Sequence, residues 1–71
     1  MYYVVKFWDD PRSSTPVEID SLTTHSYADA EAQASARADV LRERYGSRIG
    51  YKIEGPMGEL IIAVPGRPEH A

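Results

Sequence analysis

From Tyr2 to Trp8 the chain reads Tyr-Tyr-Val-Val-Lys-Phe-Trp, apolar everywhere except Lys6. Side chains alternate along a strand, so Tyr3, Val5 and Phe7 share one face while Tyr2, Val4, Lys6 and Trp8 share the other. One face belongs to a core. The other is aromatic in a protein with room for a single covering layer, and it is read either as a partner surface or as a solvated face, which antiparallel sheets often carry, or one crossed by the 9–16 connection. Asp9-Asp10-Pro11 ends the strand, because proline donates no ladder hydrogen bond and aspartate favours turns. After a polar connection over 9–16, Val17, Ile19 and Ser21 alternate with Glu18 and Asp20, which predicts a half-exposed second strand to about Thr24. That connection is long for a hairpin and points to a mobile or binding segment. A competing reading leaves 17–24 irregular and the sheet three-stranded.

Ser26, with an acid three residues later at Asp29, precedes a long run of helix formers and predicts a capped helix from about Tyr27 to Tyr45. Gly46 ends it, supplying the left-handed conformation common past a last turn. At about 100° per residue, Tyr27, Ala30, Ala34, Ala38, Leu41 and Tyr45 form one narrow stripe. That stripe is the expected packing face, with alanines that let the helix approach a sheet closely. Almost opposite lie Ala28, Ala32, Ala36 and Val40. Alanine is the best helix former and fills exposed positions for that reason alone, so this second stripe needs no partner. It also has the spacing of an antiparallel helix-to-helix contact.

Beyond Gly46 the period returns to two. Ile49, Tyr51 and Ile53 alternate with Gly50, Lys52 and Glu54 in a third strand. Gly55-Pro56-Met57-Gly58 predicts a tight turn, and Glu59 to Val64 a fourth strand. Its run Leu60-Ile61-Ile62-Ala63-Val64 is apolar on both sides, which suits either a central strand or one facing a partner. The predicted fold is α+β with order β-β-α-β-β: a four-stranded antiparallel sheet with one helix packed on one face. Residues 1–64 make one domain and residues 65–71, rich in proline and charge, a flexible tail.

With 71 residues, a domain buries only about 60% of the surface its unfolded chain exposes. Contact surfaces are therefore expected rather than a deep substrate cavity. The absence of cysteine excludes disulfides, thiolate ligands and cysteine nucleophiles. No apolar run approaches the length of a membrane span, and the expectation is a cytoplasmic protein, of a bacterial cell or a virus-infected host cell. The net charge of −3 conceals a division along the chain. Residues 37–52 hold Arg37, Arg42, Arg44, Arg48 and Lys52, while acids dominate on either side. Arginines in the last turn complement the helix dipole, and together they also offer a patch for acidic groups.

Catalytic chemistry is sparse. His25 adjoins Ser26, but neighbours in sequence seldom face one another and Ser26 already serves as a cap, so no catalytic residue is assigned. Asp9, Asp10 and Asp20 lack the spacing of an oxygen-ligand loop, and no metal is assigned. No phosphate-cradling glycine loop is present, and no cofactor is expected. The reading is a small non-catalytic protein-interaction module. It binds a protein partner or itself as a dimer through the exposed aromatic sheet face, as a virus-encoded accessory or inhibitor protein would. Tyr2, Lys6, Trp8 and Lys52 are the candidate contacts, with Arg37 and Arg44 as a secondary patch at the helix edge. Glu18 and Asp20 are expected to rim the same sheet face. The alternative is a nucleic-acid-binding domain using the sheet aromatics and Lys/Arg, opposed by the overall acidity.

Overall fold

The computed structural model describes residues 1–9 and 17–66. Four strands, β1 (Tyr3–Asp9), β2 (Val17–Thr24), β3 (Ile49–Glu54) and β4 (Leu60–Val64), surround one helix, α1 (Tyr27–Tyr45), in sequence. All pairings are antiparallel, in the order β2-β1-β3-β4. The α+β architecture and the β-β-α-β-β order match the expectation, and 17–24 is a strand. The 10–16 connection and the 67–71 part of the expected tail lie outside the described residues.

The helix begins where the sequence places it. The Ser26 hydroxyl accepts a hydrogen bond from the Asp29 backbone N–H at 3.1 Å, satisfying one of the donors that a first turn leaves open. At the other end Gly46 donates its N–H to the Arg42 carbonyl and takes φ 110° with ψ 168°. The positive φ is the freedom glycine provides, but this is an extended conformation and not the left-handed helical one expected.

Val5, Phe7, Ile49 and Ile53 from the two central strands are fully buried against Ala30, Ala34 and Ala38, with Leu41 closing the cluster. Tyr3, Tyr27 and Tyr51 pack around it half-buried. Tyr45, expected in the packing stripe, is instead 54% exposed, because it lies at the end of the helix beyond the core cluster. Ala28, Ala32, Ala36 and Val40 face outward.

The helix packs on β1, β2 and β3 and does not touch β4. That offset decides the character of β4. Its side chains are exposed from Leu60 to Ala63, and only Val64 is partly covered. The continuous apolar run is therefore not that of a second central strand. β1, with the same apolar pattern, is central and flanked by two strands, whereas β4 pairs with β3 alone.

A tight turn joins these last two strands. Gly58 donates its N–H to the Gly55 carbonyl at 3.0 Å, and Gly55 donates to the Glu59 carbonyl at 2.7 Å. Gly58 takes φ 83°, a conformation open to glycine in a tight turn. Beyond β4, Gly66 is buried against the backbone of Arg48.

Candidate functional site

The open face of the sheet is built by the even-numbered residues of β1 and β3. Lys6 stands opposite Lys52, Trp8 opposite Gly50, and Val4 opposite Glu54. Two lysines directly opposed on one face repel each other, and Glu54 resolves the conflict. Its carboxylate lies 3.1 Å from Lys6 Nζ and 3.7 Å from Lys52 Nζ, bridging both. Lys52 Nζ also lies 5.1 Å from the centroid of the Trp8 ring, within the range in which a cation is drawn to an aromatic face. All three charged side chains keep between a fifth and a third of their surface in solvent, so each pair contributes little stability, at most about 1 kcal/mol. The arrangement fixes side-chain positions more than it stabilises the fold.

Tyr2 extends this face past the end of β1. It is 55% exposed, and its ring lies 4.8 Å from that of His25 at an interplanar angle of 47°. His25 thus makes a tilted ring contact with Tyr2, while the adjacent Ser26 hydroxyl is engaged as the helix cap. Among the described residues no helix or strand packs on this side of the sheet.

The structure brings Tyr2, Lys6, Trp8 and Lys52 to one face, but it separates Arg37 and Arg44 from them. Arg37 lies on the helix side, where Nη1 reaches Asp20 Oδ2 at 2.8 Å. Arg44 is exposed in the last turn of the helix. Asp20 consequently does not rim the open face as expected. A register shift between Phe7 and Trp8 inserts Ile19 as an extra residue of β2, so Asp20 falls opposite Phe7, whose side chain points to the helix. Glu18, opposite Trp8, does lie on the open face. The simple alternation of 17–21 gave no sign of this bulge, which no glycine or proline marks.

Three other features belong to the surface. Leu60, Ile61 and Ile62 are 60%, 42% and 36% exposed, a cluster that the sequence reading did not rank among the contacts although it noted the apolar run. A shallow groove of about 250 Å³ runs between α1 and β2, lined by Leu22, Gln33, Ala36, Arg37 and Val40. At the helix start, the Tyr27 hydroxyl is held above its ordinary pKa by a hydrogen bond with Glu31, then by burial and the nearby negative charge.

Among the described residues no cluster of His, Cys, Asp or Glu has the geometry to hold a metal ion, and no helix is long and apolar enough to cross a membrane. Compared with protein-family models, curated proteins and solved structures, the chain gives no significant match.

Proposed function

We propose that this chain is a non-catalytic protein-interaction module whose primary contact surface is the open sheet face carrying Tyr2, Lys6, Trp8 and Lys52. The observation that carries the reading is the one-sided cover of the sheet. A single helix buries Val5, Phe7, Ile49 and Ile53, while the opposite face presents two aromatic rings and two lysines held in place by Glu54. Aromatic side chains whose positions are already fixed lose little conformational freedom on docking, which favours them as contact anchors. Glu54, between the two lysines, and Glu18, opposite Trp8 on the same face, together offset the positive charge of Lys6 and Lys52. That favours a protein surface of mixed polarity over a phosphate backbone, whose capture depends on net positive charge.

The test is capture of binding partners by the tagged chain from lysate of its source cells, alongside the Tyr2→Ala/Trp8→Ala double variant. A discrete protein retained by the parent and lost at least tenfold with the variant, at unchanged melting temperature, is the expected result. Retention by both proteins, or salt-sensitive recovery of nucleic acid instead, overturns the reading.

A further inference from the structure

The two edges of the sheet are built differently. β2 carries Glu18 and Asp20 and is bulged at Ile19, devices that discourage another strand from adding to an edge. β4 is also bulged, at Ile61, but it is Leu-Ile-Ile-Ala-Val, without a charge, and its pairing is regular from Ile62 to Val64. It is exposed, and the helix stays clear of it. We infer that β4 is a self-association edge, at which a second copy of this chain adds its own β4 antiparallel to form a continuous eight-stranded sheet. The inference refines the interaction reading above by assigning self-association to this edge and not to the aromatic face.

A second copy fits for three reasons. Each copy carries a net charge of −3, so two copies approach most easily through neutral surface, and Leu60–Gly66 is uncharged. With the two-fold axis at Ile62, Ile62 meets its own copy and Ile61 meets Ala63, while the bulge at Ile61 turns Leu60 to the open face, away from Val64 on the helix side. Each cross-strand pair is then apolar and no like charges are opposed. An antiparallel pair has its two-fold axis perpendicular to the sheet, so both helices stay on one side, and their offset from β4 leaves the junction unobstructed. A ladder of three residues, Ile61 to Ala63, is about 10 Å long. It buries well under the roughly 800 Å² per partner of a standard interface, so the association is reversible and concentration-dependent.

Analytical ultracentrifugation of the full chain from about 10 μM to about 1 mM spans weak association. The expected result is a mass rising from 7.9 kDa towards twice that value. Ile62→Lys places two like charges on the axis and should leave a monomer with an unchanged circular dichroism spectrum. Mixing it with Ile62→Glu should restore association as a heterodimer. A further readout needs no variant: amide exchange in β4 of the parent should slow at least threefold between the ends of the concentration range. A parent that stays monomeric throughout, or association lost with Val40→Glu and kept with Ile62→Lys, overturns the inference. A monomeric parent that still captures a partner through Tyr2 and Trp8 leaves the interaction reading standing. Association through β4 with no such capture does the reverse.

Discussion

A methyl group at Gly66 has no room. A Cβ there would collide with the backbone carbonyl of Arg48, and a backbone atom cannot swing aside as a side chain can. Gly66→Ala should therefore cost about 1–3 kcal/mol in chemical denaturation. Gly58 makes the opposite case. Its Cβ would meet nothing, but its φ of 83° is unfavourable for any other residue, so Gly58→Ala should cost about 1–2 kcal/mol through backbone strain alone. Tyr27 supplies a pH dependence. Its hydroxyl is raised above its ordinary value chiefly by the hydrogen bond with Glu31. A neutral phenol favoured in the folded state contributes stability that is fully present below the unfolded pKa of about 10 and lost as pH rises through the folded value. Alkaline denaturation of Tyr27→Phe should lack that small component, and NMR titration of Glu31→Gln should show the Tyr27 pKa falling. Ser26 and Gly46 were legible from residue type alone because caps are local chemistry. The closeness of Gly66 to Arg48 was not, since it joins positions eighteen residues apart.

Among the elements, the helix was readable to its ends, because cap, periodicity and terminating glycine agree. Its core contacts, Ala30, Ala34 and Ala38, are all fully buried. Ala34→Leu should then cost about 1–3 kcal/mol by forcing the helix off the sheet, whereas Ala32→Leu, on the exposed face, should be near neutral; thermal melts of the pair decide. The strands were legible as strands, but their surroundings were not. β1 and β4 share a doubly apolar pattern and differ in fate. Which of them lies at the centre depends on pairing order and on where the helix sits, neither of which is encoded locally. β2 was misread in register for a related reason: a bulge of one residue turns Asp20 from the open face to the helix, where Arg37 meets it.

At the scale of the molecule, the core is small and concentrated on two strands. Phe7→Ala should cost about 3–5 kcal/mol, comparable with the whole stability of a small domain, and should leave the chain largely unfolded by circular dichroism. β4 lies outside that core, so in dilute solution its amides should exchange fastest among the strands. The architecture followed from the alternation of periods two and 3.6. In the candidate site, strand parity makes the grouping of Tyr2, Lys6, Trp8 and Lys52 legible, and Arg37 and Arg44 go with the helix to the other side of the sheet, whereas parity does not reveal that the Glu54 carboxylate lies between the two lysines. Trp8 is the only tryptophan in the chain, and it sits half-exposed on the open face with the Lys52 ammonium near its ring. The molecule thus carries its own optical reporter. A ligand that covers the open face must dry the indole or displace that ammonium, shifting the emission, whereas a strand added at β4 leaves the spectrum where it was. The intrinsic fluorescence of an unlabelled sample therefore tells which of the two surfaces is occupied.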